Sequence, residues 1–239
     1  ENYLLTLQPT FAPKAGANIE KIFRITKQQQ VIFIFNFMPE QKKQSDFTRI
    51  STPSLMKRTF IAVDIIPEEN LLRALSVIRK KLAGEKIKWT DTGKMHLTLA
   101  FLGDTEEELI RKIADGLPQI AAETKAVNFS VAGLGVFPGL INPRVLWAGI
   151  ENHESLTRLH EKISGFLHTL YIMTGDQEFK PHLTLGRIKY LSNAANLKSL
   201  LAEFRDQEFQ SVRVKEVVYY ESILKPEGPQ YIPIKNTAI

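Results

Sequence analysis

The sequence predicts a domain of interleaved strands and helices built as two related lobes, and three observations support this. From residue 58 onward, stretches in which apolar and polar residues alternate take turns with stretches whose apolar residues recur at helical spacing. The tetrapeptide His-Leu-Thr-Leu occurs at 96–99 and again at 182–185, 86 residues later, each time on a predicted strand beside helical segments. The 239-residue chain is 44% hydrophobic and 24% charged, which provides for one large core or two small ones.

The elements follow in order. "RTFIAVDI" (58–65) reads as a strand, and Pro67 opens a helix whose Leu71, Leu75, Ile78 and Leu82 share one face. "MHLTLAFLG" (95–103) is a strand. A helix follows it, with a capping box from Thr105 to Glu108 and a Leu109, Ile113, Leu117 stripe. "VNFSVAGLGVF" and "RVLWAGIE" are strands joined by the Gly- and Pro-rich "FPGLINP". A helix over 153–171 directs Leu156, Leu159, Ile163, Phe166 and Leu170 inward. The strand "FKPHLTLGRIKY" follows, then a short helix near 194–204, then "SVRVKEVVYYES" and a last strand near "QYIPIK".

Residues 1–55 differ in character, with "KQQQ", "PEQKKQSDFTR" and "STPS" punctuating a single apolar run. The expectation is that Met56 starts the functional domain, 56–239. The preceding segment is then read-through from upstream, a cloning remnant or a poorly packed appendage. The alternative is an N-terminal subdomain with "QVIFIFNF" as a strand.

Composition narrows the chemistry. With no cysteine, thiolate nucleophiles, disulfide frameworks and cysteine-built metal sites are excluded, and a reducing cytoplasm is the simplest setting. The 31 Lys and Arg against 26 Asp and Glu give a formal charge of +5, which suits an anionic partner without demanding one. The longest apolar run, "VIFIF" at 31–35, falls far short of the roughly 20 residues that span a bilayer, so no membrane partner is expected. No GxGxxG or GxxxxGK[ST] loop is present, and ATP and NAD dependence find no support.

Strand parity gives the repeated tetrapeptide a meaning. Side chains alternate across a strand, so His96 and Thr98 share one face while Leu97 and Leu99 share the other; His182 and Thr184 oppose Leu183 and Leu185 in the same way. One copy alone reads as an amphipathic strand. Two copies on matching elements would meet across a cleft and present two imidazoles and two hydroxyls, with no need of a metal or cofactor. An imidazole titrates near pH 6.5, so one ring can act as base while the other acts as acid. Threonine hydroxyls can hold phosphate oxygens, and the implied reaction is displacement at a phosphodiester. His153, His160 and His168, on or beside one helix without a zinc-motif carboxylate, read as exposed helix histidines.

These strings resemble the 2H phosphoesterase superfamily, and within it the RNA 2′,3′-cyclic phosphodiesterase branch, also called LigT-like or 2′-5′ RNA ligase proteins. The similarity runs in consistent order from about residue 57, through "MHLTLAFLGD", "GLGVFP", "PRVLWAGI" and "FKPHLTLGRIK", to "VVYYESILKPEGPQY". It implies an α+β fold of two pseudo-symmetric lobes, each an antiparallel sheet flanked by helices, around a central cleft. It also implies hydrolysis of RNA 2′,3′-cyclic phosphate ends, tRNA halves or cyclic nucleotides among them, to 2′-phosphomonoesters by a monomer. Reversible 2′-5′ ligation is a related activity. By the same resemblance His182 is the base and His96 the acid, and Thr98, Thr184 and Arg187 contact phosphate.

Arg187 conflicts with parity, because in a regular strand it points with the leucines; a bulge at Gly186 is therefore expected. The first motif carries Phe101 at the matching position, where a core role is expected. Phe60 and Tyr220 could stack on a base or simply pack. The competing readings are another 2H chemistry, on 2′-5′ oligonucleotides or small cyclic nucleotides, and a non-catalytic RNA-end-binding module.

Overall fold

A computed structural model describes residues 56–173 and 178–239; the expectation about residues 1–55 lies outside the described residues. The chain forms β1 (Lys57–Asp64), α1 (Glu69–Lys81), β2 (Lys86–Trp89), a 3-10 turn (Thr92–Lys94), β3 (His96–Thr105), α2 (Glu107–Ala122), β4 (Asn128–Phe137) and β5 (Val145–Glu151). It continues with α3 (Glu154–Thr169), β6 (His182–Tyr190), α4 (Ala194–Glu203), β7 (Glu208–Arg213), β8 (Glu216–Lys225) and β9 (Gly228–Ala238). Two antiparallel sheets result, a four-stranded one in the order β3-β1-β8-β9 and a five-stranded one in the order β2-β6-β5-β4-β7. With four flanking helices this is the α+β, two-sheet architecture expected.

Each helix buries the apolar stripe its sequence supplies. In α1, Leu71, Ala74, Leu75 and Ile78 are buried, while acidic Glu69 in the first turn and Arg79, Lys80 and Lys81 in the last suit the helix dipole. The inner faces of both sheets and the helix stripes share one continuous core, in which Ile61 and Leu97 of the first sheet join Leu183 and Leu185 of the second. Replacing one such buried leucine by alanine costs about 2–5 kcal/mol. No helix among the described residues is long and apolar enough to cross a membrane.

Several expectations need correction. Thr105 does not cap α2: it ends β3, where its hydroxyl meets that of Thr59 at 2.7 Å, and Glu106 occupies the cap without a side-chain bond. The α2 stripe accordingly runs Ile110, Ile113, Leu117, Ala121, leaving Leu109 partly buried. In α3 Leu167 is buried, whereas Phe166 lies against Gly116 of α2 and Leu170 is only partly buried. "SVRVKEVVYYES" is not one strand: β7 ends at Arg213 in the five-stranded sheet, and β8 begins at Glu216 in the other. Finally, β2 is a strand that periodicity does not reveal. Its "KIKW" pairs with β6, which places an element from the first half of the chain in the second sheet.

Candidate active site

The two repeated tetrapeptides open β3 and β6, and these strands touch each other between the sheets. Both show the same alternation: His96, Thr98, His182 and Thr184 are half-buried, while Leu97, Leu99, Leu183 and Leu185 are buried. All four polar residues, together with Arg187, line a single cleft of about 490 Å³.

Local hydrogen bonds aim both imidazoles. His96 Nδ1 donates to the carbonyl of Lys94 at 2.9 Å, and His182 Nδ1 donates to that of Lys180 at the same distance. A carbonyl can only accept, so each Nδ1 carries a proton and each Nε2 is left to act on a ligand. Aromatic rings hold the imidazoles from the side. Phe60 and Tyr231 each lie 5.1 Å from His96, while Phe137 lies 5.0 Å and Trp147 6.5 Å from His182, centroid to centroid.

A bulge brings Arg187 to the cleft. Thr184 pairs with Trp147 and Gly186 with Leu146, so Leu185 is passed over and the strand's parity reverses. Thereafter Arg187 and Lys189 follow His182 and Thr184 along the cleft wall. The expected bulge is thus present, but glycine is not its cause. β3 makes the same slip at Leu99, pairing Thr98 with Ala62 and Ala100 with Ile61. What requires Gly186 is β2 alongside: a Cβ there would stand 2.8 Å from Ile87 Cγ2 and 3.1 Å from Trp89 Cε3.

The shared bulge also overturns the reading of Phe101. Turned out of the core by the slip at Leu99, its ring is 54% exposed, with the Arg58 guanidinium 5.4 Å above it. Phe60 and Tyr220 are buried instead, 4% and 9% exposed, which assigns them to packing. They form a small apolar cluster with Ala62 and Val218, separate from the main core, with Tyr231 packed against it. His160 is no exposed helix histidine either: its Nδ1 donates to the bulge carbonyl of Leu99 at 2.8 Å, and its ring stacks on Phe179. His153 is half-buried and bonds Thr157, whereas His168 is exposed as expected.

Asp64 lies outside the cleft lining but beside His96, a neighbour that sequence reasoning missed because it becomes visible only once β1 is laid beside β3. It stands directly opposite His96 and accepts a 2.7 Å hydrogen bond from the Tyr220 hydroxyl. Burial holds the His96 imidazole below its ordinary titration range; the Lys94 carbonyl and the Asp64 carboxylate oppose this, and His182 adds to the depression. Burial and the bond to Asp64 push the Tyr220 phenol far upward, so it remains a donor. Among the described residues no group of three His, Asp or Glu is placed to hold a metal ion.

Comparison with known proteins finds relatives of this chain. The model of the family described as LigT like phosphoesterase matches residues 63–147 and 150–231. An RNA 2′,3′-cyclic phosphodiesterase of Thermotoga maritima is 35% identical over 175 residues, covering 73% of this chain and 91% of the relative. A protein of the same description from Methanothermobacter thermautotrophicus is 34% identical, covering 73% and 94%. Among solved structures, a Thermus thermophilus protein superposes with a TM-score of 0.63 at 28% identity, over 76% of this chain and 97% of that one. Apo LigT of E. coli, at 20% identity, shares the fold with a TM-score of 0.58 over 77% and 98%.

Proposed function

The chain belongs to the LigT like phosphoesterase family, and from that premise we propose that it hydrolyses RNA 2′,3′-cyclic phosphate ends to 2′-phosphomonoesters. The observation that carries this reading is the meeting of two His-x-Thr strands, one from each sheet, in one cleft. The relatives described as RNA 2′,3′-cyclic phosphodiesterases support the substrate class.

In the proposed mechanism Nε2 of His182 takes a proton from the attacking water, whose oxygen bonds to phosphorus. The bond from phosphorus to the 3′ oxygen breaks, and His96 donates the proton that this oxygen takes up. Thr98, Thr184 and Arg187 hold the non-bridging oxygens as negative charge grows there. The direction of the assignment follows the family resemblance, and Asp64 supports it: this carboxylate stands opposite His96 and favours an imidazolium there, whereas Gly149 stands opposite His182. In the open cleft burial outweighs that carboxylate. The anionic substrate supplies the missing negative charge, so His96 becomes protonated as the complex forms.

One chain contributes every residue named, and the enzyme is expected to act as a monomer; the cysteine-free composition suits the cytoplasm. The test is incubation of an RNA oligonucleotide ending in a 2′,3′-cyclic phosphate, with and without EDTA, followed by identification of the product. A 2′-phosphate formed at equal rates in both is the expected result. A 3′-phosphate would show that the 2′ oxygen departs instead and would overturn the step in which His96 protonates the 3′ oxygen.

A further inference from the structure

The cleft carries more positive charge than a single cyclic phosphate can use. Lys88, Lys94, Arg187 and Lys189 line it against only two carboxylate residues, Asp91 and Glu227, a surplus of two cations. A cyclic phosphate diester brings one negative charge. None of the four cations forms an ion pair among the described residues. Lys88 donates only to the carbonyl of Glu227, at 3.0 Å, and Lys94 to that of Pro229, at 3.3 Å, which leaves two N–H groups free on each ammonium.

Their placement is as telling as their number. Lys88 on β2 stands directly opposite Arg187 on β6, and both face the cleft. Like charges directly opposite on neighbouring strands destabilise a sheet, and no side-chain carboxylate offsets this pair among the described residues. An anion between or above them would. Lys189 continues the same wall beyond Arg187, away from His182 and Thr184.

We propose that Lys88, with Lys94 and Lys189, forms a second phosphate subsite that holds the phosphodiester on the 5′ side of the terminal nucleotide. This rests on the phosphodiesterase reading above and sharpens it. A 2′,3′-cyclic end is joined to its strand only through its 5′ phosphate, so that phosphate is the neighbouring anion. The preferred substrate is then an oligonucleotide, and a cyclic mononucleoside phosphate is the poorer one.

The test compares the parent with a Lys88→Gln, Lys189→Gln double variant on two probes, a pentaribonucleotide ending in a 2′,3′-cyclic phosphate and adenosine 2′,3′-cyclic phosphate. The parent is expected to favour the pentanucleotide in kcat/KM, and the double variant to lose roughly fivefold or more of that preference, two exposed ion pairs' worth. The salt dependence measured with the pentanucleotide should become shallower by about 0.7 in log-log slope for each lysine removed. Affinities for a 2′-phosphate-ended pentanucleotide and for adenosine 2′-phosphate read the same preference without turnover. An unchanged preference in the variant overturns the proposal. So do equal losses on both probes with a lowered Tm, which would make Lys88 a latch between the sheets through its bond to the Glu227 carbonyl. If the parent turns over neither cyclic phosphate yet binds the pentanucleotide in a lysine-dependent way, the subsite stands and the phosphodiesterase reading falls.

Discussion

The pair β1 and β3 and the pair β5 and β6 follow one register step for step. Asp64 faces His96 as Gly149 faces His182; Ala62 faces Thr98 as Trp147 faces Thr184; then, past the skipped leucine, Phe60 faces Phe101 as Val145 faces Arg187. The backbone is duplicated and so are the histidine and threonine, while the surrounding chemistry has diverged. One motif is backed by a carboxylate and ends in an exposed phenyl ring. The other has no carboxylate opposite and ends in a guanidinium. In the proposed mechanism the duplicated part takes the proton and holds the oxygens, and the diverged part distinguishes acid from base and places the fixed positive charge on one side.

The largest test of this comparison removes what is shared. His96→Ala and His182→Ala should each lower kcat on a cyclic-phosphate RNA by about 10²- to 10⁴-fold, in line with loss of a general acid or base. A parent rate in either variant would break the equivalence of the two strands. Next comes what differs. Arg187→Phe makes the second motif a copy of the first and should cost about 10- to 100-fold in kcat/KM, the loss of a charged hydrogen bond worth roughly 1.5–3 kcal/mol. Phe101→Arg, the reverse exchange, should gain nothing, because the position lies outside the cleft lining.

Gly186→Ala probes the difference in neighbours. With β2 alongside, the added methyl should lower stability by about 1–3 kcal/mol in a denaturant titration, whereas β3, an edge strand, carries Ala100 at the matching place. The smallest effect is expected from Asp64→Asn. Removing the carboxylate takes away a contribution that raises the His96 titration, so His96 loses its proton at lower pH. If His96 is the acid, the basic limb of the kcat profile moves toward lower pH. A shift of the acidic limb instead would exchange the roles of the two histidines.

Most of this was legible in the sequence where local pattern and tertiary demand coincide. The His-Leu-Thr-Leu strands and the α1 stripe follow from period and chemistry within a few residues, whereas the break in parity before Arg187 was expected only from the family resemblance. What escaped depends on pairing between distant segments. β2 has four residues, two of them lysines, and acquires its meaning only as the partner of β6. The change of sheet at Val214 and Lys215 carries no glycine or proline to announce it. The bulge at Leu99 is equally silent, and so Phe101 read as core. Asp64 sits at the end of an ordinary strand, and nothing local marks it as the neighbour of a catalytic candidate.

The order β3-β1-β8-β9 also constrains how the chain can assemble. β1 and β3 are made early and lie close in sequence, but the other edge of β1 must wait for β8, and the Tyr219 hydroxyl that reaches Thr59 comes 160 residues later. Until then β1 presents an unpaired, largely apolar edge, the kind of surface that invites pairing with other chains. Such remote pairing is slow to form. The first sheet should therefore close last, and a chain truncated before β8 is expected to aggregate rather than accumulate as a stable half-molecule.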